Sequence, residues 1–176
     1  MKFVGTPLQG VFLLEQEPIE DERGFFARTF CSQEFAGHGL NPLLQQCSSS
    51  YSAFAGTLRG MHFQQQPYAE AKLVRCLRGA IYDVALDLRE HSSTFKKWFS
   101  VELTAENRRM LYVPEGCAHG FQSLVDGTEV MYQISSPYVP EAARGVRWDD
   151  PLFNILWPLP ISRMSPRDRE YERFRP

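Results

Sequence analysis

Short runs in which apolar and other residues alternate cover most of this chain, and glycine or proline breaks them apart. Residues 10–19, GVFLLEQEPI, predict a strand closed by Pro18. Residues 21–30, DERGFFARTF, predict a turn around Gly24, then Phe26, Arg28 and Phe30 on one face against Phe25, Ala27 and Thr29. Residues 32–36 read as one helical turn, with Ser32 as N-cap and Gly37 as stop. Residues 43–51, LLQQCSSSY, are polar and compatible with a strand. KLVRCLR and AIYDVALDL then predict a hairpin about Gly79. Asp83, Ala85 and Asp87 share one face of its second strand, and Val84, Leu86 and Leu88 the other. Residues 94–103, TFKKWFSVEL, predict a further strand, residues 105–109 a helical turn, and RMLYVP a strand. PEGCAHGF is a turn with His119 just beyond it. TEVMYQIS alternates well and sets Tyr132 opposite Met131 and Gln133. Only residues 166–174 read clearly as helix.

Many short strands with almost no helix predict an all-β barrel or double-sheet jelly roll. The 176 residues form a single domain, 1–176, with no linker or repeat, although the glycine–histidine turns GMH and GCAH point to two related halves. Hydrophobic content of 43% and aromatic content of 13% suit a packed core. A net charge of −2 gives no field for nucleic acid or an anionic membrane, so cations that hold an anion must act locally. No apolar run reaches the roughly 20 residues of a membrane span. The first ten residues, MKFVGTPLQG, lack the apolar core of a signal peptide, so a cytoplasmic location is expected. Cys31, Cys47, Cys76 and Cys117 are widely spaced and read as reduced, mostly buried thiols.

The chemistry gathers around GTLRGMHFQ, residues 56–64. Strand side chains alternate, so Arg59 and His62, three apart, point to opposite faces unless the strand kinks. Gly60 is the natural kink or bulge. With it, a cation and an imidazole face one cavity, which invites an anionic ligand with an exchangeable proton. His38 and His91 sit in polar stretches and read as exposed. A metal site is disfavoured, because Gln64 stands two after His62 and a lysine, Lys72, stands where a carboxylate would help. For acid–base work the candidates are His62, Tyr132, Asp83 and Asp168, yet spacing alone does not bring them together. The plainer alternatives are a core aromatic for Tyr132 and a helix-start carboxylate for Asp168. Arg23, Arg59, Lys72 and Arg167 suit a diphosphate or, more plainly, a solvated surface.

In this order, DERGFF, GTLRGMHFQ, KLVRC, IYDVALDLR, PEGCAHGF, SPYVPE, GVRWDDP, ILWP and SPRD make the chain resemble the dTDP-4-dehydrorhamnose 3,5-epimerases, a branch of the cupins, over nearly its whole length. The resemblance implies a cupin-type double-sheet jelly roll that needs no metal or other cofactor. It also implies a homodimer with exchanged N-terminal strands and a nucleotide-diphosphate sugar bearing a 4-keto-6-deoxy-hexose as substrate. By the resemblance, His62 is the base, with Asp168 as its partner. Lys72 stabilises the enolate oxygen and Tyr132 delivers a proton to the opposite face. His119 and Arg59 belong to the sugar and phosphate site. Arg23, Phe26, Gln46, Tyr138 and Arg167 complete the implied substrate contacts. Three positions depart from the family's usual residues: Arg28 and Ala143 replace Glu, and Ser48 replaces Asn. Arg28 either donates to an acceptor such as cytosine N3, shifting the carrier from dTDP toward CDP or another nucleotide, or turns to solvent or phosphate and leaves dTDP in place. Two other functions share such a scaffold. One is a nucleotide-sugar 3,4-ketoisomerase, against which His62, Lys72 and Tyr132 argue together. The other is a cupin that binds a nucleotide sugar without turnover.

Overall fold

A computed structural model describes residues 1–175. The chain forms a sandwich of two antiparallel sheets. One contains β1 (Lys2–Gly5), β2 (Phe12–Glu15), β10 (Met110–Val113), β7 (Lys72–Arg78), β12 (Thr128–Ile134) and β5 (Gln46–Ser52), in that order. The other contains β13 (Ala143–Gly145), β6 (Leu58–Gln64), β11 (Cys117–Ser123), β8 (Ala80–Asp87) and β9 (Trp98–Thr104). A separate hairpin, β3 (Ile19–Asp21) with β4 (Gly24–Phe26), stands outside both. The all-β double sheet expected from the alternation is therefore present, and no helix is long and apolar enough to cross a membrane.

The inner faces meet in one apolar core. Val74, Cys76, Leu111 and Val130 come from the first sheet, and Ile81, Ala85, Leu103 and Phe121 from the second. Each outer face is covered as well. α1 (Ser32–Gly37) lays Phe35 on Leu14, Leu73, Met110 and Tyr112. The segment from Val146 to Trp157 covers Met61, Val84 and Leu86. Two covered faces explain why the strands carry apolar residues on both sides more often than simple alternation predicts.

Several local expectations change. β7 and β8 are not a hairpin. Each is flanked on both sides by other strands, and the chain passes from one sheet to the other at Gly79. There φ is +77°, and a Cβ would sit 2.6 Å from Thr128 Oγ1, so glycine makes the corner. Ser32 is not the N-cap. Cys31 takes that place with no side-chain hydrogen bond, and Phe35 burial holds the helix instead. Residues 94–97 leave the expected strand because Ser92 and Thr94 turn their hydroxyls onto the buried Asp87 carboxylate. Residues 105–109 form a turn rather than a helix, with Asn107 Oδ1 accepting from the Thr104 and Arg109 amides. The C-terminal helix, α2, is only Pro166–Glu170. Beyond it Tyr171 packs on Gly145, and the Phe174 amide donates to Asp150, contacts that an extended chain makes and a helix does not. The GMH and GCAH turns lead into neighbouring strands, and His62 and His119 are direct partners across β6 and β11.

The feature that positions the site is a bulge. Between the His62–His119 and Arg59–Phe121 pairs, two residues of β6 oppose the single Gly120 of β11. Arg59 and His62 thereby share the inner face. The strands come so close here that a Cβ on Gly60 would sit 2.5 Å from Gly120 Cα. One on Gly120 would sit 2.6 Å from Met61 Sδ and 2.8 Å from the Arg59 carbonyl. Gly120→Ala is expected to cost about 1–3 kcal/mol through this overpacking, read as a lower urea midpoint.

Asp87 is fully buried at the end of β8. Burial would raise its carboxyl, but hydrogen bonds from Arg89, Ser92 and Thr94 outweigh that and hold its pKa at about 2. Asp87→Asn leaves Arg89 without its partner and should cost about 3–5 kcal/mol at neutral pH. Because the folded pKa lies below the unfolded value of about 3.9, the contribution is complete above that value and is lost as pH falls through the folded one. Urea titrations of wild type and variant should therefore converge toward pH 2.

Candidate active site

A cavity of about 610 Å³ opens between the two sheets. The strand pattern decides what faces it. Even-numbered residues of β7 and β12 point inward, so Lys72 and Tyr132 follow Val74 and Val130 onto the inner face. The bulge brings Arg59 and His62 in from the facing sheet, with His119 beside them. α2 reaches the same place from the C-terminal segment. Ser165 caps it, accepting from the Asp168 amide at 3.1 Å, and this aims the Asp168 carboxylate at β6.

That carboxylate takes His62 Nε2 at 2.7 Å and the Gly60 amide at 3.2 Å. Burial would raise the Asp168 carboxyl. His62, the Gly60 amide and Ser165 together outweigh it and hold the group below the usual carboxylate range. With Asp168 ionised, Nε2 carries the hydrogen and Nδ1 presents the lone pair, a base with its tautomer fixed. The His62 side chain keeps 40% of its surface open while Asp168 keeps 6%, so the imidazole is reachable and its partner is not.

His119 Nε2 stands 2.7 Å from Asp83 Oδ1, and both are buried. Asp83 was a candidate by its type alone. Its place behind His119 follows from β8 and β11 being neighbours, which alternation within one strand does not reveal. Asp83 Oδ2 has no hydrogen-bond partner among the described residues. On the opposite sheet the Tyr132 hydroxyl shares a 3.3 Å hydrogen bond with Ser50. Burial pushes the Tyr132 phenol well above its ordinary value, with Ser50 and Arg59 opposing only in part, so it stays protonated. Lys72 Nζ is 3.0 Å from Glu70 Oε1 and donates to the His62 carbonyl at 3.3 Å. Arg59 is held by the Tyr51 carbonyl at 2.8 Å.

Gln46, Ser48, Tyr138 and Arg167 also line the cavity. Gln46 Oε1 accepts from the Tyr138 amide at 2.9 Å, tying β5 to the loop that carries this aromatic. Arg23, Phe26 and Arg28 do not line it. Arg23 is paired with Asp21 on the β3–β4 hairpin, where Phe26 is 74% exposed. Arg28 lies on the surface with its side chain 60% exposed, and donates to Glu34 of α1 at 2.6 Å. Of the three departures, Ser48 and Ala143 are at the cavity and position 28 is not. Reading the sequence missed Glu70, Arg144, Arg163 and Tyr171, which line the cavity from loops, β13 and the C-terminal segment. Tyr171 meets the His62 ring edge-on, with centroids 5.9 Å apart. His38 and His91 are exposed and outside the site. The cysteines are all free; Cys76 and Cys117 are buried, Cys31 is half-buried and Cys47 is exposed. No three His, Cys, Asp or Glu side chains converge on a point among the described residues.

Comparison with known proteins agrees with this geometry. The profile of the dTDP-4-dehydrorhamnose 3,5-epimerase family matches residues 5–176. The dTDP-4-dehydrorhamnose 3,5-epimerase of Methanothermobacter thermautotrophicus is 42% identical over 99% of this chain and 95% of its own. The crystal structure of the enzyme of that name from Elizabethkingia anophelis superposes with a TM-score of 0.96 at 40% identity, covering 99% of this chain and 96% of that one. A dTDP-6-deoxy-D-glucose-3,5-epimerase from Legionella pneumophila, crystallised with dTDP-4-keto-L-rhamnose, superposes with a TM-score of 0.88 at 35% identity over 95% of this chain and 89% of its own. With its cavity residues placed and a match spanning almost the whole sequence, this chain belongs to the dTDP-4-dehydrorhamnose 3,5-epimerase family.

Proposed function

We propose that the protein epimerises a dTDP-linked 4-keto-6-deoxy-hexose at C3, C5 or both, by moving protons at the carbons beside the ketone. One observation carries this: a base and an acid enter the cavity from opposite sheets, His62 from β6 and Tyr132 from β12. The ketone acidifies the neighbouring C–H bonds. His62 Nδ1 takes the proton, and the electron pair of the broken bond moves onto the ketone oxygen. Lys72 supplies a positive charge where that oxyanion develops, a stabilisation of the kind that dominates such reactions. The Tyr132 phenol then gives its hydrogen to the carbon from the other face, and the electron pair returns. The configuration inverts, and the protons on His62 and at Tyr132 re-equilibrate with water. Arg59, Arg144, Arg163 and Arg167 line the same cavity and suit the diphosphate, since guanidinium forks match phosphate oxygens. The dTDP sugar bound to the Legionella relative supports the carrier.

The partner in this reading is a second copy of the chain, joined by exchanged N-terminal strands. The β3–β4 hairpin touches neither sheet as a paired strand and leaves Ile19 72% exposed and Phe26 74% exposed. Delivered to a neighbouring subunit, the hairpin would bring Arg23, Phe26 and Arg28 toward that subunit's cavity. Sedimentation equilibrium should give twice the chain mass, and Phe26→Ala should weaken the association; a monomeric wild type would overturn the exchange.

The chemistry is tested by incubation in D₂O with dTDP-4-keto-6-deoxyglucose and, in parallel, its CDP counterpart. Ring deuteration should appear with the dTDP sugar and be about 10²–10⁴-fold slower in His62→Ala, with dTDP binding retained by calorimetry. Faster deuteration of the CDP sugar would move the carrier to cytidine. Absence of deuteration with either sugar would favour a binding protein. A product with its keto group moved to C3 would favour the ketoisomerase.

Tyr132→Phe separates the two proton transfers. Abstraction by His62 should continue, so deuterium should still enter from the His62 face. Inversion should slow by about 10²–10⁴-fold, read as retained configuration in deuterated substrate by NMR.

A further inference from the structure

Glu70 is an acid in a cavity built for an anion. It stands just before β7 and lines the cavity with its side chain only 8% exposed. The four arginines around it favour a diphosphate, and a carboxylate among them repels one. What Glu70 does touch is Lys72, at 3.0 Å, whose own side chain is 11% exposed. A lysine ammonium is a compact charge on a flexible four-carbon stem and does not define a position unaided. Here two oxygens hold it, Glu70 Oε1 and the backbone carbonyl of His62 at 3.3 Å. An ammonium has three hydrogens, so one remains for a ligand.

The loop that carries Glu70 is fastened on both sides. The Ala71 amide donates to Ser135 Oγ at 2.8 Å, and the Ser135 amide donates back to the Ala71 carbonyl at 3.0 Å. The buried Gln64 amide group donates to the Tyr68 and Pro137 carbonyls, each at 3.0 Å. The backbone on either side of Glu70 is therefore held in place.

We propose that Glu70 is a positioning residue for Lys72. It aims the third ammonium hydrogen at the place where the ketone oxygen gains charge, so the ion pair rather than the lysine alone stabilises the oxyanion. Such a donor needs no reorientation as the charge develops. Its anchoring to the His62 backbone also couples the position of the cation to that of the base. The inference rests on the epimerase reading.

The test uses Glu70→Ala and Glu70→Gln in the full chain. Glu70→Ala should lower kcat for deuterium exchange by about 10- to 100-fold while KM and dTDP affinity stay within about threefold. Glu70→Gln keeps an oxygen acceptor for the ammonium and should restore most of the lost kcat. In ¹⁵N-lysine-labelled protein without substrate, the Lys72 ammonium signal should be sharp in the wild type and broaden in Glu70→Ala. Equal falls in kcat and dTDP affinity, or a lower melting temperature with kcat unchanged, would mark a structural role and overturn the proposal. So would a Lys72 signal that stays sharp. The spectrum needs no turnover, so an inactive wild type would sink the epimerase reading while the positioning is still decided.

Discussion

One extra residue in β6, opposite Gly120, is the constraint on which this molecule's chemistry depends. Without it the two-residue period of a strand sends Arg59 and His62 to opposite faces. With it both face the space between the sheets, and Met61 turns outward to pack under Val146 and Phe153. The bulge needs two facing glycines because the backbones approach too closely for any Cβ. The same distortion leaves the Gly60 amide free for Asp168, so one local irregularity both exposes the base and supplies part of the anchor for its partner.

Around this point the protein buries charge in pairs. His62 meets Asp168, His119 meets Asp83, Lys72 meets Glu70, and Asp87 meets Arg89. A lone buried charge would be neutralised or would unfold the site, whereas a paired one keeps its state. Three of these pairs have a member facing the cavity, and two of them, His62–Asp168 and His119–Asp83, join elements far apart in the chain. The pairs fix where the groups point, and at Asp168 the bond that lowers the carboxyl pKa is also the bond that orients the His62 ring.

Much of this was legible in the sequence, and the limits are physical. Alternation in TEVMYQIS set Tyr132 on the face opposite Met131 and Gln133 because period two is a local property of a strand. The kink at Gly60 was legible because Arg59 and His62 share a face in no other way. Which strand lies beside which is not local, and so KLVRCLR and AIYDVALDL read as a hairpin although Gly79 turns the chain from one sheet to the other. For the same reason Asp83 could be named but not paired with His119. Asp168 could be named as a candidate, but its pairing with His62 came by family resemblance, since a Ser-Pro-Arg-Asp helix start by itself describes a cap. Glu70 was not singled out, because its place in the cavity depends on how the loop before β7 folds.

The arrangement divides labour between the two sheets and the hairpin. The groups proposed for proton transfer stand on strands of the sandwich or on α2, whose cap ties it to β6 through Asp168. The residues that the family likeness assigns to the nucleotide side, Arg23, Phe26 and Arg28, lie instead on or just after a hairpin that no sheet holds. Reaction geometry tolerates displacements of only about an ångström, whereas stacking and phosphate contacts tolerate more. Placing the first on the sandwich and the second on a separate arm lets base recognition change at positions such as 28 without disturbing the His62–Asp168 pair. An altered residue at position 28 and an undisturbed His62–Asp168 pair can therefore stand in the same chain.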